Sequence, residues 1–117
     1  MRRMSLIARI SFPFVAAVLA LSASAQQASL TVGTATALSG QTATGFIEVP
    51  AGVDAATSIP VVVVRGARPG PVLAIVSGSH GTEYASIIAV ERVIKQLDPT
   101  QLSGTVILVP LVNIPSF

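Results

Sequence analysis

The chain has 117 residues, enough for one domain at most, with seven Lys or Arg, five Asp or Glu, a single His and no cysteine. Without cysteine there is no disulfide framework, so any fold must stand on its apolar core. The formal charge of +2 belongs to the start of the chain: beyond Arg2, Arg3 and Arg9, four basic residues (Arg65, Arg68, Arg92, Lys95) face five acidic ones (Glu48, Asp54, Glu83, Glu91, Asp98), a net of −1 that excludes a basic nucleic-acid face.

The three arginines precede an apolar run from Phe12 to Leu21, and Ala23-Ser24-Ala25 then places small residues where a signal peptidase cuts. Residues 1–25 are therefore expected to be an export signal, cleaved before Gln26, with a periplasmic or secreted product of 92 residues (117 less 25). A membrane span needs about 20 apolar residues. This run is shorter and Pro13 interrupts it, so membrane contact is expected only through the signal. Arg2-Arg3 and Leu6 also occupy twin-arginine positions, with Ser5 where that signal carries an aromatic, so both export routes stay open.

Residues 26–57 form a lead-in. Up to Thr44 they are small and hydroxylated, with Leu30, Val32 and Leu38 as sparse apolar points, which suits an edge strand or an extended segment. Gly45-Phe46-Ile47-Glu48-Val49 has the β-branched and aromatic character of a strand, ended by Pro50-Ala51-Gly52. Residues 58–117 form the main unit. Ile59 to Arg65 and Val72 to Val76 are two apolar runs joined by a Gly/Pro loop, and they are expected to pair as antiparallel neighbours. The second run lacks any polar alternation, which predicts a strand covered on both faces.

From Glu83 to Leu97 the spacing becomes helical: Ile87, Val90, Val93, Ile94 and Leu97 share one face, and Asp98-Pro99 stops the helix. Thr105 to Val109 reads as another buried strand, and Pro110 and Pro115 bracket a final extended piece. Strand, helix, strand in that order implies a crossover between parallel strands. The fold class is α/β, a mixed sheet with helical crossovers. The apolar, strand-like end at Phe117 is expected to be a truncation that leaves this fold incomplete.

Ligands in open α/β sheets collect beyond the carboxyl ends of strands, where loops lead into helices. Ser77-Gly78-Ser79-His80-Gly81-Thr82 occupies that place, and it holds the lone histidine of the chain. Imidazole and carboxylate are the donors of a catalytic zinc that keeps a position open, and the spacing from His80 to Glu83 lets a turn bring both to one metal. A structural account competes: Glu83 also suits the positive end of a helix, and Thr82 suits an N-cap.

A resemblance bears on that choice. Gly70-Pro71-Val72-Leu73, Gly78-Ser79-His80-Gly81-Thr82-Glu83-Tyr84, Leu102-Ser103-Gly104-Thr105-Val106 and Val109-Pro110 with Asn113 occur in the order and near the spacing of one family. Through them the stretch 59–117 resembles the succinylglutamate desuccinylase/aspartoacylase family, zinc carboxypeptidase-like hydrolases, in its N-terminal part only. The resemblance implies that His80 and Glu83 are two of three protein ligands to Zn2+. It implies that the third ligand, the substrate-binding arginine and the general-base glutamate lie further along, so this chain alone is expected to be inactive. The complete protein is expected to cleave an amide bond in a small-molecule or peptide substrate by metal-activated water. The choice of zinc over manganese or iron rests on the likeness, since both donor types suit all three.

Ser79 invites a different reading, because Ser77-Gly78-Ser79-His80-Gly81 approaches the Gly-x-Ser-x-Gly elbow of serine hydrolases, although Ser77 replaces the first glycine. Asn113 follows a buried strand and is a candidate substrate contact, or simply an Asn bonding loop backbone. Arg65 and Arg68 suit an anionic substrate or a solvated turn, and Tyr84 suits packing. A non-enzymatic exported binding module, or a pseudogene product with the same fold, stays open as the alternative to an enzyme.

Overall fold

Four consecutive valines organise the molecule. In the computed structural model, which describes residues 29–117, Val61 and Val63 pack with Ala35, Ala37 and Val109, while Val62 and Val64 pack with Val90, Val106 and Leu108. Side chains alternate across a strand, so a run of β-branched residues feeds two cores at once, one on each face of the sheet. The expected leader at 1–25 lies outside the described residues.

Those valines lie in β4 (Thr57–Arg65), the second strand of a four-stranded sheet. The sheet also contains β3 (Gln41–Val49), β5 (Arg68–Val76) and β6 (Ser103–Val109), in the order β3-β4-β6-β5. β3 pairs with β4 and β4 with β6 in antiparallel fashion, whereas β5 and β6 are parallel. A short antiparallel ribbon, β1 (Leu30–Val32) with β2 (Ala35–Ala37), supplies Ala35 and Ala37 to one core. The helix α1 (Tyr84–Gln96) covers the other core with Val90, Val93 and Ile94. The lead-in thus carries a ribbon and a nine-residue strand, longer than the five residues its sequence marks.

The α/β class and the parallel crossover through a helix agree with the sequence, and three expectations are corrected. β4 and β5 are not antiparallel neighbours, because β6 lies between them. The connection explains why: the amides of Gly66, Ala67 and Arg68 bond to the carbonyls of Gly104, Pro99 and Leu102, which commits the turn to the chain around the start of β6. Pro69 and Pro71 also remove donors from the start of β5. Secondly, β5 is not covered on both faces. It is an edge strand whose Val72, Leu73 and Val76 are 63%, 55% and 58% exposed. The doubly covered strands are β4 and β6. The final segment is also not extended, since Ile114–Ser116 form a single 3-10 turn. No helix among the described residues is long and apolar enough to cross a membrane.

Candidate functional site

Because β5 and β6 are parallel, their carboxyl ends open on the same side, and the loops that follow them meet there. The first is 77–83, leading into α1; the second is 110–117. They begin by extending the sheet: the amide of Ser77 donates to the Val109 carbonyl (2.9 Å) and that of Val112 to the Ser77 carbonyl (3.0 Å). Asn113 then donates twice, from its backbone amide to the Gly78 carbonyl (3.1 Å) and from Nδ2 to the Ser79 carbonyl (3.0 Å). Beyond His80, the Gly81 amide donates to Ser116 Oγ (2.7 Å), and Ser116 Oγ donates to the Asn113 carbonyl (3.2 Å).

Two glycines make this meeting possible. Gly78 has φ +67°, and a Cβ there lies 2.8 Å from Leu111 Cδ1. Gly81 is buried, and a Cβ there lies 2.5 Å from the Phe117 nitrogen. His80 lies between these pinned points and Glu83 two residues beyond the second; both are exposed and belong to one turn, closed by the Glu83 amide donating to the His80 carbonyl at 3.0 Å. The turn carries an imidazole and a carboxylate at the carboxyl end of a parallel strand, where a ligand has access.

The helix start shows how Glu83 is used locally. Glu83 itself occupies the N-cap position, displacing Thr82 from that role, and makes no side-chain capping hydrogen bond. Its carboxylate is therefore not used as a cap. Tyr84, the first helical residue, packs edge-on against Phe117 with ring centroids 5.8 Å apart, so the expected packing aromatic has its partner in the second loop.

A catalytic zinc takes three protein donors. His80 and Glu83 fit two of those places by donor chemistry and exposure, and among the described residues no group of three His, Cys, Asp or Glu comes together. The described residues bring two candidate donors, His80 and Glu83, onto one turn. Asn113 lies beside it, its amide engaged on the backbone next to His80. Ser79 is exposed on the same loop but lacks the strained conformation of a nucleophile elbow, since among the described residues no amino acid other than glycine has positive φ.

Arg65 and Arg68 lie elsewhere. They line a cleft of about 500 Å³ with Ser39, Gly66, Gly70 and Thr105, at the amino-terminal end of β5. Eight strand steps of about 3.3 Å put that cleft roughly 26 Å from the His80 turn. Arg68 is further committed, through Nε to Ser103 Oγ (2.8 Å) and Nη2 to the Gln101 carbonyl. Sequence reasoning missed Ser116 and Leu111, whose roles depend on two loops meeting across more than 30 residues. The turn signal Asn113-Ile114-Pro115-Ser116 was the available hint.

Comparison with known proteins places this arrangement. Residues 69–117 match the succinylglutamate desuccinylase/aspartoacylase catalytic domain. N-alpha-acetyl-L-2,4-diaminobutyric acid deacetylase of Halomonas elongata is 36% identical over 76 residues, covering 62% of this chain and 22% of that protein. An aspartoacylase family protein from Mesorhizobium loti is similar in structure, with 34% identity, a TM-score of 0.58, and 64% of this chain and 24% of that chain covered. A succinylglutamate desuccinylase/aspartoacylase from Rhodobacter sphaeroides gives 30% identity and a TM-score of 0.56 over the same shares, 64% and 24%. The chain thus spans under a quarter of the length of these relatives. Through its matched segment, and with the mixed sheet it shares with those structures, the chain is similar to the succinylglutamate desuccinylase/aspartoacylase family over part of that family's fold.

Proposed function

We propose that this chain supplies the front of an exported, zinc-dependent hydrolase that cleaves an amide bond in a small acylated substrate. One observation carries the proposal: His80 and Glu83 stand exposed on a pinned turn at the carboxyl end of β5, with the Glu83 carboxylate not spent on capping α1. The match to that family's catalytic domain supports amide hydrolysis, and the similar Halomonas protein bears the name of a deacetylase. Export rests on the basic start, the apolar run and Ala23-Ser24-Ala25.

His80 and Glu83 are the residues that would hold the metal. When bound, zinc supplies Lewis acidity that polarises a scissile carbonyl and makes water nucleophilic near neutral pH. The chain's own contribution is positional: β5 and the loop 110–117 fix the backbone on both sides of His80, and α1 fixes the residue after Glu83. The resemblance implies that a third donor and the proton-shuttling carboxylate come from sequence following this chain.

The test is amide hydrolysis by the complete protein, with and without a chelator, beside His80→Ala and Glu83→Ala. Chelation abolishes activity, and each substitution lowers kcat/KM by more than about 100-fold, beyond what loss of a supporting contact to a metal ligand costs. Full activity in either variant removes that residue from the centre. Chelator-insensitive activity with fluorophosphonate labelling of Ser79 overturns the metal reading in favour of a serine nucleophile.

A further inference from the structure

The loop after β6 does more than close the fold. Its hydrogen bonds fall on the residues that flank His80, at Gly78, Ser79 and Gly81. Two side chains are involved, Asn113 Nδ2 on the Ser79 carbonyl and Ser116 Oγ on the Gly81 amide, and they are tied to each other because Ser116 Oγ donates to the Asn113 carbonyl. Without them, residues 79–82 keep no hydrogen bond to the loop after β6: what remains is Ser77 bonded to Val109 and Val112, the Asn113 backbone amide on Gly78, the closing bond from Glu83 to His80 and the Ser86 hydroxyl on the Glu83 carbonyl.

We infer that Asn113 and Ser116 are positioning residues, a clamp that presets the His80 turn for metal. The inference rests on the metal reading of His80 and Glu83. A metal site gains affinity when its donors are held in the bound geometry before the ion arrives, since less ordering remains to be done on binding. A loop held only at its ends loses part of that advantage. Asn113 therefore acts on His80 through the backbone of Ser79, with Nδ2 donating to the Ser79 carbonyl.

The experiment measures Zn2+ affinity of the complete protein by competition with a chromophoric chelator, alongside KM, kcat and exchange of the Gly81 amide. Asn113→Ala, Asn113→Asp and Ser116→Ala each weaken zinc binding by about tenfold. Asn113→Asp keeps the shape and loses the donor, so it should match Asn113→Ala. Ser116→Thr, which keeps a hydroxyl, restores affinity and slows Gly81 exchange to near the parent's rate, whereas Ser116→Ala accelerates it. If the Asn113 and Ser116 variants bind zinc as the parent does while His80→Ala does not, the clamp is wrong and the metal site stands. A raised KM in Asn113→Ala at unchanged zinc affinity makes Asn113 a substrate contact and also overturns the clamp. Undiminished zinc binding in both His80→Ala and Glu83→Ala removes the metal site itself, and the clamp with it.

Discussion

The hydroxyl of Ser116 accepts the amide hydrogen of Gly81 at 2.7 Å, joining residues 35 apart in sequence. Gly81 is buried two residues before the N-cap of α1, and a buried backbone amide needs a partner. A side chain from the loop after β6 thus satisfies a donor of the loop before α1, and the parallel arrangement of β5 and β6 is what brings the two within reach.

That closeness leaves no room for side chains on the glycines. Gly81→Ala places a Cβ 2.5 Å from the Phe117 nitrogen, and Gly78→Ala meets both a positive φ and Leu111 at 2.8 Å. Each substitution is expected to cost about 1–3 kcal/mol by the strain it forces on the loops. Urea denaturation of each variant checks this; a midpoint equal to the parent's contradicts the packed-loop geometry.

Leu108 is fully buried between the sheet and α1, in the cluster of Val62, Val64 and Val90. Leu108→Ala is expected to destabilise by about 2–5 kcal/mol, the range for a buried leucine that leaves a cavity. In contrast, Phe46→Ala, at a side chain 49% exposed, should cost less. Thermal unfolding of the pair ranks them.

The outer edge of β5 offers Val72, Leu73 and Val76 without a neighbouring strand among the described residues. An exposed apolar edge pairs readily with another chain. The 117-residue polypeptide is therefore expected to self-associate as concentration rises, and Leu73→Lys to reduce that association. Sedimentation velocity over a concentration series measures both; equal association by the two proteins places the contact elsewhere.

Asp98, after α1, titrates below the ordinary aspartate range. The hydroxyl of Thr100 donates to Oδ1 at 2.7 Å and is the largest cause, followed by the Thr100 amide at 2.8 Å, with burial a smaller opposing influence. A folded pKa below the unfolded one gives stability that is present above the unfolded value and fades as pH falls through the folded one. Thr100→Val removes the hydroxyl donor and keeps the amide. NMR titration should find the Asp98 pKa raised toward the free value, and the variant's stability should approach the parent's at the acid end of that window.

Much of the fold was legible because local signals and tertiary position agree. The helical spacing survives as the core-facing side of α1 in Val90, Val93 and Ile94, continued by Leu97 at its C-cap, and the turn His80-Gly81-Thr82-Glu83 sits where a strand passes into that helix. The rest depends on strand order. Val61 to Val64 and Val72 to Val76 look alike as apolar runs, yet one strand is interior and the other an edge, and only the insertion of β6 between them decides this. The clamp was hidden for the same reason, since Ser116 and Gly81 meet only after β6 has paired with β5.

The most direct test is metal content. Zinc is measured by mass spectrometry in the complete protein, purified without chelators, beside His80→Ala and Glu83→Ala. The parent is expected to hold about one zinc per chain, and both folded variants to lose it. Parent-level zinc in both variants would contradict a metal centre built on His80 and Glu83.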